Sequence, residues 1–267
     1  MMPLLSPGES GLLAALMVAL LLACCGPFLP QYAQYHAFAD QRALWGLPQA
    51  MDVLSNLPFA IMGIVGLVRL RGGPELQLGG AQRQLAAVFF AGLIITALCS
   101  GWYHLQPTDA SLSVDRLGMV LAFAGLLGLA VADRLSARAG ICISVVVLLL
   151  GPPAIQVWAT TANLLPWSVL QGGGMLLMLL LALRKPLVNA WGLPLNAVLA
   201  WYVAAKLLEL GDHGIFMLTH EWVSGHSLKH VAAALAAWPV LAVMHNDNPA
   251  RPSQHGTNRA IVNAQPL

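Results

Sequence analysis

The sequence predicts an all-α protein, a polytopic membrane helix bundle. Three observations carry that reading. Of 267 residues, 58% are apolar and 9% charged, where a soluble domain carries about 25% charged residues. Apolar runs of membrane length recur eight times, each near the roughly 20 residues that a 30 Å hydrocarbon core demands. Period-two alternation is missing, which argues against a membrane β-barrel. A mean hydropathy of +0.72 agrees. The 13 basic residues are scattered and offset by 11 acidic ones, so nothing marks a nucleic-acid partner. No obligatory protein partner is expected either.

The runs fall at about 11–29, 52–70, 84–103, 114–132, 141–158, 166–183, 192–210 and 226–244. The first is preceded by no Lys or Arg, unlike a signal peptide, whose n-region is positive. Leu21-Leu22-Ala23-Cys24 is also a poor lipoprotein-type cleavage match. Residues 1–35 are therefore expected to keep a hydrophobic helix. Arg71-Gly72-Gly73-Pro74 ends the second run, Gln106-Pro107-Thr108-Asp109 separates the third from the fourth, and Arg184-Lys185-Pro186 closes the sixth. The membrane domain is expected over 36–246. The polar tail at 247–267 is expected to be disordered. The four cysteines, Cys24, Cys25, Cys99 and Cys142, have no metal or redox spacing and read as small buried apolar side chains.

Charge orients the bundle. Arg69, Arg71 and Arg83, then Arg134 and Arg138, then Arg184 and Lys185, then Arg251 and Arg259 fall at alternate connections. By the positive-inside rule these are cytoplasmic, with both termini inside. The opposite loops, about 30–51, 104–113, 159–165 and 211–225, hold one basic residue, Arg42.

The histidines then sort to one face. His36, His104, His213, His220, His226 and His230 fall at the outer ends; His245 and His255 do not. Asp40, Asp52 and Asp115 join the outer set. His226 and His230 are four apart, so a helix stacks both imidazoles on one face, where they can share one metal. Polar side chains at membrane depth usually mark function. Ser100 and His104 repeat that spacing, making His104 a candidate third ligand. Three imidazoles with one open position form a hydrolytic zinc centre. Ser100 reads otherwise as a hydroxyl bonded to its own helix. Asp115 reads as a general base or as a helix N-cap. Lys206 and Glu209 read as a self-neutralising pair near the interface, and Lys229 as a snorkelling side chain.

At these residues the chain resembles a known family. Ser100-x-x-x-His104, Asp115 eleven residues on, and Gly225-His226-Ser227-Leu228-Lys229-His230 on the last run resemble the alkaline ceramidases and the wider CREST superfamily of seven-helix membrane hydrolases. Asp52-Val53-Leu54-Ser55-Asn56-Leu57-Pro58-Phe59 resembles the opening of that family's first core helix. The resemblance covers roughly 36–245. It implies a seven-helix core preceded by one extra N-terminal helix, zinc on His104, His226 and His230, Asp115 as acid/base and Ser100 as oxyanion donor. It implies a ceramide, or another N-acyl lipid, as substrate. Eukaryotic members also bind calcium before the first core helix. In the matching stretch here Asp40 and Asp52 are the two carboxylates, with Gln49 where an acid is expected. A hard divalent cation wants more oxygen charge than that. Asp40 and Asp52 therefore stand either as a second cation site or as structural pairs, Asp40 with Arg42.

The expectation is an integral-membrane zinc amidase, its site on the outer face of a bacterial inner membrane. Two rivals are a receptor-like lipid-binding member with a structural zinc, and a bis-histidine haem protein. The latter needs histidines opposed deep in the bundle, not gathered at one face.

Overall fold

The structure is a computed structural model and describes residues 5–72 and 80–244. The polar tail, His245, His255, Arg251, Arg259 and the Gly73-Pro74 break lie outside those residues. Among the described residues there are eleven helical segments and no sheet: α1 Pro7–Cys25, α2 Ala50–Leu54, α3 Leu57–Gly72, α4 Gly80–Leu105, α5 Asp109–Arg134, α6 Ala137–Thr161, α7 Leu165–Ala182, α8 Leu195–Leu210, α9 Asp212–Leu218, α10 Gly225–Leu235 and α11 Trp238–Val243. The polytopic helical bundle is as the sequence predicts. Among the described residues six helices are long and apolar enough to cross a membrane: α1, α2–α3 taken together, α4, α5, α6 and α7. Cys24 and Cys25 on α1 and Cys142 on α6 are exposed on these apolar helices and not buried as the sequence suggests.

The last two runs depart from a simple span. The seventh gives α8, 16 residues beginning after Pro194. At 1.5 Å per residue it is about 24 Å long. The eighth is not one helix. Pro239 offers no N–H and its ring meets the carbonyl four residues back, so α10 stops at Leu235 and α11 restarts at Trp238. The second run is also interrupted, at Ser55-Asn56. There Ser55 Oγ and Asn56 Nδ2 both donate to the Asp52 carbonyl, at 2.9 and 2.8 Å.

The starts of α1, α5, α6 and α10 are capped by side chains. Ser6 caps α1 in a capping box with Glu9, and Thr108 caps α5 in a reciprocal pair with Ser111. Such caps satisfy orphan N–H groups. The Thr108 cap corrects one option for Asp115, which lies inside α5 and does not cap it. Arg116 turns away from Asp115 into an aromatic cage, 3.9 Å from the Trp158 ring and 2.6 Å from Gln31 Oε1.

α4 and α5 form the most extensive helix pair. Gly92 and Gly125 make it possible. A Cβ on Gly92 would stand 2.3 Å from the Ala122 nitrogen, and one on Gly125 2.2 Å from the Phe89 nitrogen. Small residues that let backbones meet are a usual device of membrane helix packing. The arginine-rich end is tied by polar contacts. Asp133, fully buried, pairs with Arg134 and accepts the Gly192 and Leu193 N–H groups at 2.9 and 3.1 Å. Glu9 of α1 accepts from Arg138 and Ser136 at 2.8 Å each. The N-terminal helix is thereby fastened to the start of α6.

Candidate metal centre

At the other end of the bundle α4 finishes and α10 begins. His104 occupies the last turn of α4, and His226 and His230 the first two turns of α10. Ser224 caps α10 and accepts from the Ser227 N–H at 3.0 Å. Each of the three histidines is buried. Their ligand nitrogens all lie within 4.8 Å of one another, with His226 Nε2 and His104 Nε2 3.3 Å apart. Two nitrogens about 2.0–2.1 Å from one tetrahedral ion are separated by roughly that distance. The donor set therefore fits a metal ion. Among the described residues this is the group of His, Cys, Asp and Glu side chains arranged to hold one.

The outer nitrogen of one ring is managed as a metal site requires. His230 Nδ1 lies 2.8 Å from Ser55 Oγ. That hydroxyl already donates to the Asp52 carbonyl, so Nδ1 carries the proton and donates to it. Nε2 is left with its lone pair free, as a neutral imidazole ligand needs. His104 is oriented by packing, its ring centroid 4.8 Å from Phe38 and from Tyr103.

Ser100 is one turn below His104 on α4, and Asp115 faces it from α5. Both are buried. With His230 they line one cavity of about 220 Å³. Its walls are otherwise mainly apolar, with Phe59, Phe89, Leu93, Phe123 and Leu126 among them. The arrangement sets one ring of the metal site, a hydroxyl donor and a carboxylate on the wall of a mainly apolar chamber. That is the usual build of a pocket for an apolar ligand with one reactive polar group.

Asp40 and Asp52 do not converge on one ion. The Arg42 guanidinium takes both oxygens of Asp40, at 2.8 and 2.6 Å, and reaches the Trp222 carbonyl at 3.1 Å. Burial pushes the Asp40 carboxyl up, but the bonds from Arg42 outweigh it and hold the group below its usual value. Asp40 is thus half of a structural pair, the second of the two options. Among the described residues Asp52 has no salt-bridge partner; its Oδ1 accepts from Ser227 Oγ at 2.6 Å. It fixes α2 to the turn of α10 that bears both histidines.

Of the six histidines at this end, three join and three do not. His36 bonds to Tyr103 Oη and Asp109, at 2.8 and 3.1 Å. His213 contacts the Ala37 carbonyl at 3.0 Å. His220 sits in a left-handed turn, φ 53°. The first and second of these hold down the segment 36–42, which lies across the centre.

Three features escaped the sequence. Phe38 packs on His226 and His104, with ring centroids 4.3 and 4.8 Å away. It roofs the centre. Asp212 accepts the His226 N–H at 2.8 Å and the Ala39 N–H at 2.9 Å, joining the roof to the start of α10. Lys229 does not snorkel. It bonds Glu209 Oε1 at 2.6 Å, while Lys206 bonds Oε2 at 2.6 Å. The expected pair is a triad on the cavity wall. The acid beside Lys206 was visible as a partner; the second cation reaches it only by tertiary packing of α8 on α10.

The chain matches no protein-family model and no curated protein sequence.

Proposed function

We propose that the protein is an integral-membrane, zinc-dependent amidase that cleaves the N-acyl bond of ceramide or a related N-acyl lipid, giving a sphingoid base or other amine and a fatty acid. The observation that carries this is the group of His104, His226 and His230, whose His230 lines an apolar cavity together with Ser100 and Asp115. Zinc would be held by the three imidazoles and, when bound, supplies a Lewis acid that lowers the pKa of water towards 7.

The chain's own groups do the rest. Asp115 takes a proton from the attacking water as its oxygen bonds to the amide carbon. Ser100 donates to the oxygen that gains charge. Asp115 then returns the proton to the nitrogen as the C–N bond breaks, so amide and water become amine and acid. The Phe38 roof keeps bulk water from the reacting centre, which strengthens each of these interactions. The acyl chain lies along the apolar wall. By the distribution of arginine and lysine, the site faces outward from a bacterial inner membrane, with both termini cytoplasmic.

The test is metal analysis of the purified protein, followed by mass spectrometry of products from a mixed N-acyl lipid pool. Zinc near one equivalent and release of matched amine and acid are expected. His226→Ala should lose both. Full hydrolysis by a metal-free His226→Ala protein overturns the reading. Bound lipid with no product in the zinc-loaded protein leaves a lipid receptor instead.

A further inference from the structure

The triad on the cavity wall carries more charge than its own neutralisation needs. Lys206 and Lys229 each bring one positive charge, and each bonds a different oxygen of the single Glu209. Both oxygens are then committed, and one positive charge is left over. The three side chains line the same cavity as Ser100, Asp115 and His230. They are partly shielded there, with side-chain exposures of 45% for Lys206, 18% for Lys229 and 26% for Glu209. An ionised Asp115 offsets the surplus while the imidazoles are neutral. Any divalent ion on those imidazoles restores it twice over. A cationic surplus beside an apolar chamber is costly unless an anion enters with the ligand.

Direction adds to charge. The triad sits near the end of α8 and the start of α10, as Ser100 and Asp115 sit near the end of α4 and the start of α5, while the apolar lining continues further along all four helices, to Phe89, Leu126, Val198 and Ala236. The acyl part of a substrate fills the second region. The part beyond the amide nitrogen meets the first. A neutral diol head gives the lysines hydroxyl oxygens but no charge; a carboxylate gives both, and charge-assisted bonds are about twice as strong as neutral ones.

We propose that Lys206 and Lys229 select an N-acyl lipid with an anionic group on the amine side of the amide, an N-acyl amino acid type of substrate, over neutral ceramide. The proposal rests on the amidase reading for where the amide sits. Lys206, the more exposed of the two, is the contact; Lys229 chiefly holds Glu209 in place.

The test separates the two ideas. Full-length, metal-loaded protein in detergent is titrated by calorimetry with two unreactive ethers of equal chain, dodecyloxyacetate and 2-dodecyloxyethanol. The carboxylate should bind at least about tenfold more tightly, the worth of one charge-assisted bond. Lys206→Gln should cut that ratio by about tenfold, and Lys206→Arg should restore most of it. A purely structural triad predicts no rescue specific to charge. Equal affinities in the wild-type protein overturn the proposal, and that measurement needs no variant to fold. A preference untouched by Lys206→Gln also overturns it. In parallel, N-dodecanoylglycine and N-dodecanoylethanolamine are offered as substrates. Hydrolysis of neither conjugate, nor of any lipid in the mixed N-acyl pool, refutes the amidase reading, whatever the ether ratio says; faster hydrolysis of the glycine conjugate supports both.

Discussion

Ser55 Oγ stands 2.8 Å from His230 Nδ1, and this bond orients a candidate metal ligand. The interruption between α2 and α3 frees Ser55 to point sideways. It relays the Asp52 carbonyl to the imidazole, fixing the tautomer that leaves Nε2 available. Partners of this kind typically contribute 10–100-fold in metal affinity. Ser55→Ala should therefore weaken zinc binding by roughly that factor while the protein still folds. Competition with a chromophoric chelator measures it. Unchanged affinity would show that packing alone aims the ring.

Asp115 and the histidines should separate by readout. Asp115→Asn keeps the shape and removes the base, so turnover should fall about 10²–10⁴-fold with zinc content intact. His226→Ala should lose zinc and turnover together. Loss of zinc from Asp115→Asn would move Asp115 from acid/base work to metal support.

The Asp40–Arg42 pair predicts an acid limb in stability. Arg42 holds the Asp40 carboxyl below its usual value, so the unfolded chain binds the proton more readily than the folded one. The sign follows: the contribution is complete above the unfolded value, about 4, and is lost as pH falls through the lower folded value. Melting temperature followed from pH 7 to pH 3 should drop at the acid end. Arg42→Gln should start lower and fall less. Parallel curves for the two proteins would count against the linkage. Because the segment covers the centre, loss of zinc should accompany the acid transition.

Two glycines give opposite expectations. Gly125 meets the α4 backbone, and any Cβ there stands 2.2 Å from the Phe89 nitrogen. Gly125→Val should cost several kcal/mol, on the order of overpacking penalties or beyond, and lower the yield of folded protein. Gly172 has open space around its missing Cβ. Gly172→Ala should be neutral or slightly stabilising, through better helix propensity. Thermal melts in detergent decide both.

How much of this was legible follows from range. His226, His230, Ser100 and His104 repeat at four-residue spacing, so one helical turn already puts each pair on one face. That is local information. Which pairs meet is not local, yet the alternation of arginine-rich connections ordered the ends and so predicted that α4 and α10 bring their histidines to the same side. Phe38 and Asp212 gave no signal, because a lone aromatic in a loop and a lone acid after a helix acquire their roles only when distant segments fold onto each other. Lys229 departs from a snorkelling side chain for a related reason: helical period tells which way a side chain leaves its helix, not what waits there. The break in the last run was visible in Pro239, and apolar length masked it.

The cavity should act as a ruler for the acyl chain. Ser100 and Phe89 on α4, and Asp115 and Leu126 on α5, line it at its two ends. The helices run antiparallel there, and eleven residues of each span roughly 16 Å at 1.5 Å per residue. Bulk added at the far end should shorten the usable length without touching Asp115 or the histidines. Leu126→Trp is therefore expected to lower kcat/KM for long-chain N-acyl substrates by about tenfold or more, since even one methylene in such a pocket is worth 1–3 kcal/mol. Substrates with short chains should keep their rates. Zinc content should not change. Rates measured over a series of acyl lengths give the answer: a step that moves to shorter chains in Leu126→Trp supports the ruler, and a uniform loss at every length would put the acyl chain elsewhere.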